Sequence, residues 1–193
     1  MATTGIILAG GKSTRMGEDK GLVFLDGSPM ITHVIEHLKE VVDEIIVIAN
    51  NAEYQQFGFP VYPDLVMDKG PVGGIYTGLF YSKTEVNLCI SCDAPFVSAP
   101  FLKWLLSRAN SSNITLPRFN ENVYQLIGVY KKSAFPIFKK NLNSDRLKLS
   151  KVNDEAGCAI VDAGKSGLLL HEKEFSNMNR KSDLNKGYND SNS

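Results

Sequence analysis

An excess of charge of either sign is missing from this chain: 21 Lys and Arg offset 21 Asp and Glu over 193 residues. No bulk field draws it to nucleic acid or an anionic membrane, so affinity for phosphate must be local. Long apolar runs are missing too. No stretch approaches the ~20 residues of a membrane span, and the N-terminus has no basic region followed by an apolar one. Neither a spanning helix nor a secretory signal is expected, and the expected location is cytoplasmic. Cysteine is scarce, with three residues. Cys89 and Cys92 form a C-x-x-C pair, but only Cys158, His33, His37 and His171 remain as further ligands, none with the paired spacing of a zinc site. The pair reads instead as small apolar residues ending a buried strand. Internal repeats and long linkers are also absent.

What remains suffices for one core, with 43% hydrophobic residues. We expect a single domain over residues 1–185 and a polar, frayed tail over 186–193. Apolar runs predict strands at 4–8, 44–49, 59–62 and 86–92. Helical spacing predicts helices from Met30 to Val41, opened by Ser28-Pro29, then over 72–82, 99–109 and 134–142. Strands are also expected at 114–117 and 123–130, flanking a polar turn, and closing strands at 158–161 and 175–178. Strands alternating with helices imply a Rossmann-like α/β fold: a doubly wound, mostly parallel sheet.

The richest stretch follows the first strand. Leu8 to Lys20 holds three glycines, Arg15, Lys12 and Lys20 in thirteen residues. Glycines let backbone N–H groups approach an anion closely, and Arg15 and Lys20 would neutralise a polyphosphate. Two familiar loops are excluded. A P-loop ending in Gly11-Lys12-Ser13 needs glycine at position 6, which is Ile6. The dinucleotide fingerprint lacks its glycine intervals around Gly10-Gly11.

Ligands of such sheets bind beyond the carboxyl ends of the strands, and this loop, Asn50, Asp64 and Asp93 all fall there. Asp93 either caps a following helix or offers the carboxylate that magnesium takes alongside phosphates and waters. Lys20 reads as a contact to departing pyrophosphate, with Arg15 beside it as a planar phosphate fork. Lys12 would raise the local potential. Asn50 and Asp64 either form turns or contact a nucleotide. Gly73-Gly74 either begins a helix or lets backbone approach a ligand.

The motifs also resemble a known family. Leu-Ala-Gly-Gly at 8–11, Arg15-Met16-Gly17, Asp19-Lys20-Gly21, Asp26 to Met30, Asp64, Gly70 to Ile75, Cys92 to Phe96, and Asn177-Met178-Asn179 with Asp183-Leu184 are similar, in order, to the nucleotidyltransferases of the MobA-like, molybdenum cofactor guanylyltransferase type. The resemblance implies transfer of GMP from GTP to a molybdopterin-type molybdenum cofactor, with Mg2+ as cofactor and pyrophosphate released. It implies nucleotide contacts at Leu8, Ala9, Gly10, Gly11, Lys20, Asn50, Asp64 and Asp93, and catalytic roles for Arg15, Lys20 and Asp93, with Asp93 the metal ligand. Gly73, Gly74, Asn177 and Asn179, the asparagines alternating on a strand, would line the acceptor side. It also leaves room for contacts with other cofactor-biosynthesis proteins. The chain departs from the family pattern in a loop one residue shorter between Arg15 and Lys20. A second departure is Tyr124-Gln125-Leu126-Ile127, where a polar-Pro-Leu sequence is usual. The alternatives are a sister enzyme using CTP or another NTP with a different phosphate acceptor, and a non-catalytic nucleotide-binding protein.

Overall fold

The computed structural model describes residues 1–10, 19–109 and 111–178. Its elements follow from short apolar runs separated by amphipathic helices. The first half comprises β1 (Thr3–Leu8), the small hairpin β2 (Phe24–Leu25) and β3 (Ser28–Pro29), α1 (Met30–Lys39), β4 (Glu44–Ile48), β5 (Val61–Tyr62), α2 (Gly70–Tyr81) and β6 (Val86–Ser91). The second half comprises α3 (Ala99–Ser107), β7 (Ile114–Phe119), β8 (Asn122–Val123), β9 (Ile127–Lys131), α4 (Phe135–Asn143), α5 (Leu149–Glu155) and β10 (Cys158–Asp162).

The main sheet runs β10-β7-β9-β6-β1-β4-β5, with β8 on β7. Along that path only β9 opposes its neighbours, pairing antiparallel with β6 and β7. The sheet is therefore mostly parallel and doubly wound. Alternation along each strand divides the apolar side chains between its faces. Ile7, Ile45, Val47, Leu88 and Ile90 meet α1 and α3 on one face. Ile6, Leu8, Ile46, Ile48 and Cys89 meet α2, α4 and α5 on the other. Gly78 marks a close helix–sheet approach, since a Cβ there would lie 2.5 Å from Ile6 Cγ2.

Connectivity fixes where a ligand belongs. From β1 the chain passes through α1 to β4 on one side, and α2 then carries it to β6 on the other side of β1. The carboxyl ends of β1 and β6 thus flank the topological switch point, where open α/β sheets bind ligands.

Three local expectations are corrected. Ser28 does not cap α1: it lies in β3, and Pro29 at the helix start makes no side-chain cap bond. The strand expected over 123–130 is broken, because the chain turns at 124–126 between β8 and β9. The strand expected over 175–178 is instead a 3-10 turn over Glu172–Phe175 followed by irregular chain. Helix α5 has no counterpart among the expected elements. The expected tail, 186–193, lies outside the described residues.

Candidate nucleotide site

The site grows from strand ends. β1 stops at Leu8, and the next amide, Ala9 N–H, donates to Ile48 O at 2.9 Å, which keeps β1 and β4 together one residue further. Gly10 follows with a bare backbone: a Cβ there would stand 3.2 Å from Asp64 Oδ2. On the other side, Cys92 N–H donates to Leu8 O at 3.0 Å and Ala94 N–H to Ser91 O at 3.2 Å. That tight turn presents Asp93 beside the end of β1.

These elements enclose a cleft of about 700 Å³ lined by Leu8, Ala9, Gly10, Lys20, Asn50, Asp64, Gly74 and Asp93 among the sequence-nominated residues. The cleft also takes in residues to which sequence reasoning gave no role, chiefly Asp19, Ser91, Met67, Asp68 and Leu126. Asp19 was within reach of the sequence, being adjacent to Lys20 in the motif. Leu126 was named only within the departing segment Tyr124-Gln125-Leu126-Ile127, and its place in the cleft is set by its carbonyl accepting from Ser91 N–H across from β6 at 3.0 Å.

Asp93 does not cap a helix, because α3 begins only at Ala99 behind Ser98. Its carboxylate accepts from Ser91 Oγ at 2.6 Å and pairs with Lys20 Nζ at 3.3 Å. Its carbonyl accepts from Met178 N–H at 2.9 Å, which docks the last described segment against the turn. Met178 is buried with Val23, Leu25 and Met30 beneath the β2–β3 hairpin.

Asn50 and Asp64 hold each other. Asn50 Nδ2 donates to Asp64 Oδ2 at 3.0 Å, and Asp64 N–H donates to Asn50 Oδ1 at 2.9 Å. Burial raises the Asp64 carboxyl above its ordinary range, opposed by the Asn50 hydrogen bond. Gly74 packs its Cα against Leu8, whose Cδ2 would be 3.3 Å from a Cβ there. Gly73 turns away from the cleft toward Lys69 and the Val66 carbonyl. Asn177 is exposed on irregular chain rather than on a strand, one residue from the Met178 amide that meets Asp93. Gly11, Arg15 and Asn179 lie outside the described residues.

A divalent cation is testable against this donor set. Among the described residues no group of three His, Cys, Asp or Glu could hold a metal unaided. Asp93 is a nearly buried carboxylate lining the cleft. One carboxylate completed by phosphate oxygens and waters is the arrangement Mg2+ prefers, so the residues present fit it. The thiols do not compete. Burial pushes Cys89 and Cys92 far above the usual thiol range and Cys158 up to about 11, and all three are free.

A glycine approach, a lysine and a carboxylate at the switch point of a mostly parallel sheet define a nucleotide-binding α/β protein of the nucleotidyltransferase type. More particularly, the chain belongs to the MobA-like NTP transferase domain family, which matches residues 5–154. It is 42% identical over 147 residues, 76% of this chain and 77% of the other, to the "Probable molybdenum cofactor guanylyltransferase" of Flavobacterium johnsoniae. It is 33% identical over 184 residues, 93% and 91% of the two chains, to the "Molybdenum cofactor guanylyltransferase" of Serratia proteamaculans. Its fold is similar to the crystal structure of molybdopterin-guanine dinucleotide biosynthesis protein A from Archaeoglobus fulgidus, with a TM-score of 0.81, 19% identity and 95% of each chain covered.

Proposed function

We propose that this protein transfers GMP from GTP to the terminal phosphate of the molybdopterin-type molybdenum cofactor, releasing pyrophosphate and forming the guanine dinucleotide cofactor. The observation that carries this reading is the meeting of Gly10, Lys20 and Asp93 in one cleft of a chain that belongs to this family.

The residues divide the work by position. The bare backbone at Gly10 admits the nucleotide close to the end of β1, while the locked Asn50–Asp64 pair forms the polar wall for guanine. Lys20 and Arg15 receive the charge of the leaving pyrophosphate; the lysine is already held at the Asp93 carboxylate. Asp93 would hold Mg2+, which when bound supplies charge neutralisation between the α-phosphate and the leaving group. Ser91 orients Asp93 by donating to Oδ1, leaving Oδ2 toward Lys20. The acceptor phosphate is ionised near neutral pH and needs no strong general base, so catalysis rests on positioning and charge. Gly74 and Asn177, with Asn179, mark the acceptor side. Three unpaired cysteines agree with a reducing, cytoplasmic setting.

Base selectivity tests the reading. Hydrogen-bonding groups matched to guanine are left unpaired by another base, so calorimetry with Mg2+ should show GTP binding far more tightly than CTP or UTP. Equal affinity for CTP would remove the guanylyl assignment and point to a sister enzyme.

A further inference from the structure

Tyr54 is a fully buried phenol that the proposed reaction does not use. It sits on a 3-10 turn over Ala52–Phe57, just beyond β4, and its ring belongs to the core between the sheet and α1. Its hydroxyl donates to Asp19 Oδ1. The Gly21 amide and the Cys92 thiol are its other polar neighbours. Asp19 in turn caps the 3-10 turn Lys20–Leu22, accepting from Gly21 N–H at 3.4 Å. A side chain at Gly21 would overlap the Tyr54 hydroxyl, with its Cβ also 3.1 Å from ring carbons. One hydroxyl therefore touches the exit of the glycine-rich loop and the residue preceding Asp93.

We propose that Tyr54 is a positioning residue for Lys20: through Asp19, its buried hydroxyl fixes the loop exit so that Lys20 Nζ is held 3.3 Å from Asp93 Oδ2. Asp19 lines the same cleft as Lys20 and Asp93. Held by the phenol, its Oδ1 is committed to the core side. Released, a second carboxylate one residue from Lys20 would compete for the lysine ammonium and for the cation at Asp93. The hydroxyl thus keeps Asp93 the carboxylate that Lys20 faces. The charge of Tyr54 plays no part, because burial first, then Cys92 and Asp19, push its phenol well above the ordinary range.

This inference rests on the reading of Lys20 as a pyrophosphate contact, and one double-mutant cycle separates the two. The affinities of the 193-residue chain for GTP and GMP are measured by calorimetry in Mg2+ for wild type, Tyr54→Phe, Lys20→Ala and the double variant. Tyr54→Phe should weaken GTP roughly tenfold, the scale of one misplaced charge-assisted contact, and GMP less than about twofold. Added to Lys20→Ala, it should cost GTP less than about twofold further, because the lysine it positions is gone. Equal losses for GTP and GMP, or full additivity with Lys20→Ala, would make Tyr54 a core residue only. If Lys20→Ala itself fails to separate GTP from GMP, the pyrophosphate reading falls and this inference with it. Should Tyr54→Phe not fold, Gly21→Ala crowds the same hydroxyl. It should reproduce the selective loss of GTP, and an unchanged ratio of GTP to GMP affinity there would overturn the proposal.

Discussion

Asp93→Asn separates chemistry from packing, because the substitution keeps the shape of a side chain whose structural bonds survive it. The backbone bond from Met178 is untouched, and an amide oxygen still accepts from Ser91 Oγ. What is lost is a negative charge at 3.3 Å from Lys20, in a pair whose lysine side chain is 26% exposed and whose aspartate is 12% exposed. Solvent around the lysine screens that pair, so its loss should cost about 1 kcal/mol or less. For a chain of this length that lowers the melting temperature by roughly 2–4 °C. The reaction should respond on another scale: with Asp93 as the proposed carboxylate for Mg2+, losing several kcal/mol of charge stabilisation should lower the rate by about 100-fold or more. Pyrophosphate release at saturating GTP and Mg2+, measured beside thermal melts, reads both quantities. Near wild-type release would refute the metal role, and outright unfolding would make Asp93 a structural residue.

Two further outcomes follow from packing and titration. The Asp64 carboxyl titrates above its unfolded value because of burial, so it binds its proton more readily when folded and its contribution to stability is lost as pH rises through that raised value. Asp64→Asn should therefore melt higher than wild type at pH 7 without nucleotide, the gain fading near pH 4, while GTP binding weakens; a lower melt at pH 7 would contradict this. Gly78→Ala should melt several degrees lower despite alanine's better helix propensity, because its methyl would overlap Ile6 between α2 and β1. An unchanged melt would mean that the helix–sheet contact yields more easily than the geometry implies.

Elements governed by one strong local signal were legible in the sequence. The runs that form β1, β4 and β6 are continuous apolar segments, and Met30, Ile31, Val34, Ile35 and Leu38 all bury the predicted face of α1. Elements set by tertiary packing were not. Helix α5 offers only Leu149 and Val152 as apolar periodicity over seven residues, too little to stand out. Phe175 to Met178 was expected as a closing strand. Yet Phe175 is drawn into an aromatic cluster with Phe101, Phe119 and Tyr124, and a reciprocal cap between His171 and Glu174 closes the turn. The β2–β3 hairpin did carry a signal, Asp26-Gly27, both with positive φ as a two-residue hairpin turn requires. For the site, strand-end position brought Asn50, Asp64 and Asp93 to one cleft. Spacing alone could not tell that Gly73 faces the loop at Lys69, or that Tyr54, thirty-five positions from Asp19, would reach the loop exit.

The proposed transfer is measured by offering the 193-residue chain each of the four NTPs with Mg2+, with and without molybdopterin cofactor, and following pyrophosphate and the dinucleotide product. Pyrophosphate and guanine dinucleotide should appear in equal amounts only when GTP and the cofactor are both present. Pyrophosphate from GTP without the cofactor, or a faster reaction with CTP, would contradict the account.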